Sequence, residues 1–192
     1  GNLICMHGLY YTTHGGWWEW APPDFHYRMP YWPHMKKWLE YGERLSYLMS
    51  QGTHVSDIAL MYPTEPMQAF PGSRPSVSFA TAKTLSNAGL DYDFMDYRSL
   101  LKSEISGKSL KVSDMSYKVL ILPDMKAMHH EALQQALNFY RKGGIVVATG
   151  ALPIASTRKG SNDPQVDAIV KEIFGLTAKE QEMGKRAAVH RN

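Results

Sequence analysis

Tyr117-Lys118-Val119-Leu120-Ile121-Leu122-Pro123 is the stretch whose reading decides the fold. A short, continuously apolar run is what a parallel strand covered on both faces requires, because helices pack on either side of it. Downstream, a helix from about His129 turns Leu133, Ala136, Leu137 and Tyr140 inward, stops at Gly143-Gly144, and feeds an apolar strand from Ile145 to Ala148. Upstream, Val55 to Tyr62 reads as a strand, Pro63 to Pro75 as a Pro/Gly-rich connection, Ser76 to Ala88 as a helix ended by Gly89, and Tyr92 to Tyr97 as a strand. Strands alternating with helical stretches are the pattern of βαβ units. The expected fold class is α/β, an open parallel sheet ordered 2-1-3-4, with the first and third strands adjacent and central.

The segments between and after these elements read more plainly. Glu104 to Lys111 is expected to be a solvated connector and Ala151 to Asp163 a loop. Asp163-Pro164 caps a helix bearing Ile169, Val170, Ile173 and Phe174, and Gly175 ends it. The charged tail from Thr177 is expected to fray.

Composition shifts at Gly52. All five tryptophans lie before it, in an apolar strand from Leu3 to Tyr11, an irregular Gly/Pro/aromatic loop from Thr12 to Tyr31, and a helix that opens with Pro33. Met35, Trp38, Leu39, Gly42, Leu45, Leu48 and Met49 share one face of that helix, which Gly52 terminates. The expected organisation is therefore residues 1–52, then an α/β domain at 53–176, then a tail at 177–192.

Composition excludes several classes of function. At 44% hydrophobic and 20% charged, the chain can bury a core. No apolar run reaches the roughly 18 residues of a membrane span, and the N-terminus lacks the pattern of a signal peptide, so an exported parent would carry its signal outside this sequence. The net charge of +3 is small and its basic residues are scattered, which gives nucleic-acid binding no electrostatic footprint. Cys5, the single cysteine, reads as a small buried apolar residue and rules out an intrachain disulfide and a multi-cysteine metal site.

A doubly wound sheet places function at the carboxyl ends of its strands, here the turns after Tyr62, Tyr97, Leu122 and Ala148. None holds the G-x-G-x-x-G turn of a dinucleotide site. Pro63 and Pro66 remove backbone donors that a flavin-phosphate loop needs, and no cysteine nucleophile follows Cys5. Asp124 suggests a phosphate-accepting aspartate, but Glu65 is its one nearby acidic partner for a magnesium ion, so Asp124 is expected to cap the turn after it. His129 and His130, about 100° apart on a helix, are expected to mark a helix start and not a metal site. His7, His14 and His26 match no ligand spacing, so no metal and no cofactor are expected.

The aromatic segment is where chemistry gathers. The run His7-Gly8-Leu9-Tyr10-Tyr11, then the loop through Trp17-Trp18-Glu19-Trp20, looks like a barrel strand opening into its C-terminal mouth, where active sites are built. Aromatic faces pack on sugar C–H groups while carboxylates and histidines bond hydroxyls. His7, Tyr10, Trp17, Trp18 and Glu19 are the expected substrate contacts. The competing reading is that the tryptophans cement the loop to a neighbouring domain.

Four blocks, His7 to Tyr11, Pro30-Tyr31-Trp32-Pro33-His34-Met35, Arg44-Leu45-Ser46-Tyr47-Leu48, and Gly52 to Pro63, resemble glycoside hydrolase family 106, the α-L-rhamnosidases. Tyr117 to Pro123 and Tyr140-Arg141-Lys142-Gly143-Gly144 are also similar to the amidotransferase-like second domain of family 42 β-galactosidases. The resemblance implies that residues 1–52 are the last strand, loop and helix of a (β/α)8 barrel. It implies that residues 53–176 are a flavodoxin-like, class I glutamine amidotransferase-like accessory domain, that the catalytic carboxylates lie on earlier barrel strands outside this chain, and that the parent is periplasmic or secreted. The expected function is an accessory part of a carbohydrate-cleaving enzyme, without its own catalytic centre and with a carbohydrate substrate in the intact parent. A noncatalytic scaffold or oligomerisation module is the alternative, and a small-molecule binding domain a third. A barrel strand without its neighbours leaves backbone groups and an apolar face unpaired, so self-association through residues before Gly52 is expected.

Overall fold

The computed structural model describes Phe25, Tyr27 and residues 29–184. The chain divides into two compact units, Gly1–His54 and Val55–Asn192.

In the first unit a 3-10 turn, Trp32–His34, leads into α1, Met35–Ser50. Pro33 sits in the opening turn, where its missing N–H costs nothing, and Gly52, at φ +82°, closes the element. Of the seven residues expected on the apolar face, only Met35 and Gly42 are buried; Trp38, Leu39, Leu48 and Met49 are exposed, Leu48 at 64%. Phe25 stacks on Trp38 at 6.1 Å and meets Tyr31 edge-on at 6.5 Å.

The second unit is built on a parallel sheet. β1, Ile58–Met61, is buried at every position. It is followed by α2, Thr64–Ala69, and α3, Ser76–Asn87, then by β2, Asp93–Met95, and α4, Tyr97–Lys102. A three-stranded antiparallel sheet comes next, made of β3 (Glu104–Ser106), β4 (Ser109–Val112) and β5 (Met115–Tyr117). β6, Val119–Pro123, leads through β7, Ala127–Met128, to α5, His130–Arg141, and to β8, Ile145–Thr149. β9 (Ala155–Ser156), β10 (Gly160–Ser161), α6 (Pro164–Phe174) and α7 (Ala178–Glu182) complete the described elements.

The four central strands run in the order β2-β1-β6-β8, all parallel. This is the 2-1-3-4 order expected from the sequence, with the first and third strands side by side at the centre. Leu60 pairs with Phe94 on one side and Ile121 on the other. Because strand side chains alternate between faces, Ile58, Leu60 and Ile121 meet Ala82 of α3, whereas Ala59, Met61, Leu120 and Leu122 join the larger core with α5 and α6. Each fully buried leucine or phenylalanine there contributes about 1.5–3 kcal/mol. In α5 the deeply buried aromatic is Phe139; Tyr140, expected in that place, is half-buried. Gly144 lies under the Phe139 ring, where even a Cβ would collide.

The structure corrects the sequence at five places. Residues 104–117, expected to begin as a connector, are an antiparallel meander. Its charged positions sit on one face, with Glu104 directly opposite Lys111, while Leu110 and Tyr117 are buried. The connection after β1 contains α2. Asp96 accepts the Ser99 N–H at 2.7 Å and thereby starts α4 where the second strand was expected to continue. The loop from Ala151 contains β9 and β10, and β9 also pairs with β7. Thr177 and Glu180 form a reciprocal capping box that opens α7, and Gln181 bonds Leu152 N–H and Gly150 C=O, both at 3.0 Å.

Candidate functional site

The carboxyl ends of β1, β2, β6 and β8 are where a sheet of this kind can hold a site. At the end of β1, Ser78 of α3 donates to the Met61 carbonyl at 3.2 Å, and the chain turns into α2, placing Glu65 inside. Glu65 is 4% exposed. Its Oε1 accepts the His129 N–H at 3.5 Å, the limit of a useful bond, while its Oε2 is buried with no partner. Burial pushes the Glu65 carboxyl above the ordinary carboxylate value, against the lowering effect of backbone N–H groups.

The ends of β2 and β6 supply a stack beside it. The Tyr97 and His129 rings lie face to face at 4.5 Å. The Arg98 guanidinium carbon is 5.6 Å from the Tyr97 ring centroid, and its Nε donates to the Tyr97 hydroxyl at 3.2 Å. His129 Nδ1 lies 3.2 Å from Glu131. As expected, His129 and His130 mark the start of a helix: His129 is the N-cap of α5 and His130 its first residue. His130 Nε2 is also buried without a partner.

Asp124, just after β6, adopts φ +50° and holds two strand ends together. Its N–H donates to Thr149 C=O, and its Oδ1 accepts the Ala151 N–H at 3.1 Å. The expectation that Asp124 caps the turn after it is corrected: the carboxylate bonds the segment after β8 instead. Thr81 and Thr149 hydroxyls meet across the same end at 3.0 Å. No group of three His, Cys, Asp or Glu residues among the described residues could hold a metal ion. The arrangement can carry a proton on Glu65.

Expected substrate contacts His7, Tyr10, Trp17, Trp18 and Glu19 lie outside the described residues. In the first unit an open groove runs along α1, lined by Trp32, Met35, Lys36, Leu39, Glu40 and Glu43. In sequence Glu65 stands out only as a partner for Asp124; the further signal is an acid four residues past a buried strand, between Pro63 and Pro66.

The model of glycoside hydrolase family 106, described as alpha-L-rhamnosidase, matches residues 23–192. The chain belongs to this family. No curated protein matches it. Among solved structures, a β-galactosidase from Bifidobacterium adolescentis is similar at 16% identity and a TM-score of 0.44, over 65% of this chain. The chain spans 55% of that galactosidase's length. Membership in family 106 places the chain in a family of carbohydrate-cleaving hydrolases. No described helix is long and apolar enough to cross a membrane.

Proposed function

We infer that this chain is a fragment of an α-L-rhamnosidase-like glycoside hydrolase and has no catalytic centre of its own. Residues 1–52 are read as the last strand, aromatic loop and helix of a (β/α)8 barrel. Residues 53–176 are read as a flavodoxin-like, amidotransferase-like accessory domain, and residues from 177 as its tail.

One observation carries this reading. Glu65 and Asp163 are the buried acids among the described residues. Asp163 is held by Ser156, Arg158 and the Gln165 N–H, and Glu65 is enclosed, 4% exposed. A glycosidase needs two carboxyl groups, one able to protonate the leaving oxygen and one on the opposite face of the sugar. In a member of a hydrolase family, two buried acids that are both closed off from a sugar favour a catalytic pair located elsewhere in the intact enzyme. The uncovered apolar face of α1 fits a helix that packs beside other barrel helices.

On this reading His7, Tyr10, Trp17, Trp18 and Glu19 face the sugar in the intact parent. Replacing Trp17 or Trp18 with Ala there should raise KM for an aryl α-L-rhamnoside. Unchanged kinetics in both variants would remove the loop from the site and favour the alternative, a noncatalytic scaffold or oligomerisation module, to which the exposed Leu48 and Met49 also lend themselves.

A further inference from the structure

The connections leaving β1, β2 and β6 converge on one carboxyl group. Glu65 comes from α2, packed against β7. Its hydrogen-bond partner, the His129 N–H, opens α5, and the His129 ring stacks on Tyr97, the first residue of α4. α2 therefore reaches two further elements through a single side chain.

Burial disfavours a charge on that group and outweighs His129 and the backbone N–H groups, which favour it. α2 carries no other ionisable residue, and β7 contributes Ala127 and Met128, both apolar. From α5 comes His129, whose ring is engaged by Tyr97 and Glu131. From the turn before α4 comes Asp96, a second negative charge, with Arg98 engaged by Tyr97. Glu65 Oε2 has no donor. An unpaired neutral carboxyl in such a place costs a few kcal/mol, whereas an unpaired carboxylate costs far more.

We propose that Glu65 is a proton-operated latch: uncharged, it stays buried and pins α2 to the first turn of α5, and on ionising it leaves for water, releasing α2 and loosening the Tyr97–His129 stack. The latch belongs to the α/β unit and does not depend on the assignment of a barrel remnant. Desolvation raises the carboxyl above the ordinary 4.5 of an exposed glutamate, so the closed form binds the proton more tightly than the open form. Closure is strongest below that value, weakens as pH rises through the raised value, and is constant above it.

Carboxyl-carbon NMR on the full chain, with amide hydrogen exchange followed against pH, tests this. Glu65 should titrate above 4.5, and protection of the His129 and Tyr97 amides should fall with the same midpoint, about tenfold for each unit of elevation. Glu65→Gln, neutral at every pH, should abolish that step while keeping both amides protected. A Glu65 midpoint at the ordinary value, or the same pH step in Glu65→Gln, overturns the proposal. If Glu65→Gln does not fold, the wild-type midpoints decide: coincidence supports the latch, and separation overturns it.

Discussion

The Ser156 hydroxyl donates to the fully buried Asp163 carboxylate at 2.6 Å, joining the β9–β10 hairpin to the start of α6. Asp163 also accepts the Gln165 N–H at 3.0 Å as helix cap and two bonds from Arg158 at 3.2 Å. Asp163→Ala should unfold the hairpin and fray α6 together. Hydrogen exchange should show amides of Thr157 and Asp167 losing protection in step; loss in α6 alone would mean that the hairpin stands without Asp163.

The same network should contribute to stability in acid. Led by the Ser156 hydroxyl, it lowers the Asp163 carboxyl from 3.8 to about 2. A depressed carboxyl adds stability that is fully present above its unfolded value and is lost as pH falls through the folded one, so the loss should run from about pH 4 down to about pH 2. At the alkaline end, Tyr117 is buried and donates to Asp93 at 3.0 Å, and it is pushed from 10.0 up to about 12. Its contribution is complete below pH 10 and lost toward pH 12. Melting temperature against pH should flatten at the acid end in Asp163→Asn and at the alkaline end in Tyr117→Phe.

Gly144 allows the chain to pass under the Phe139 ring on its way from α5 into β8. Gly144→Ala must displace that ring, which is fully buried, and should cost about 1–3 kcal/mol by denaturant unfolding. A cost below about 0.5 kcal/mol would show that Phe139 can move aside.

Thr177→Ala removes the capping hydroxyl of α7 and should cost about 1 kcal/mol. The Gln181 bonds to Leu152 and Gly150 should loosen with it. Exchange of the Leu152 amide measures this, and unchanged protection would separate α7 from its cap.

What the sequence reveals follows from how far each signal is local. Val119 to Leu122 and Ile58 to Met61 are continuous apolar runs, and such runs demand cover on both faces wherever they occur, so the four parallel strands and their order were legible. The meander at 104–117 was not, because its strands are three or four residues long and alternate Ile105, Leu110 and Val112 with charged side chains. α2 was hidden by Pro63 and Pro66, residues that mark turns but also suit a first helical turn. Glu65 looks like a surface acid in sequence. Its burial arises from β7 and α5, more than sixty residues on. The aromatic loop lies largely outside the described residues, and its reading rests on composition and family likeness.

The apolar face of α1 should make the first unit sticky. Sedimentation of the full chain is expected to show self-association that a chain beginning at Thr53 lacks. Equal monomeric behaviour at the same high concentration would show that residues before Gly52 bury their own apolar surface.

Turnover of an aryl α-L-rhamnoside by the isolated 192-residue chain tests the central claim most directly. On the proposed reading the catalytic carboxylates belong to another part of the parent enzyme, which leaves no general acid for the leaving group, and the rate should equal that of buffer. Hydrolysis above that background, abolished by Glu19→Gln, would contradict the account and make the aromatic loop a catalytic centre in its own right.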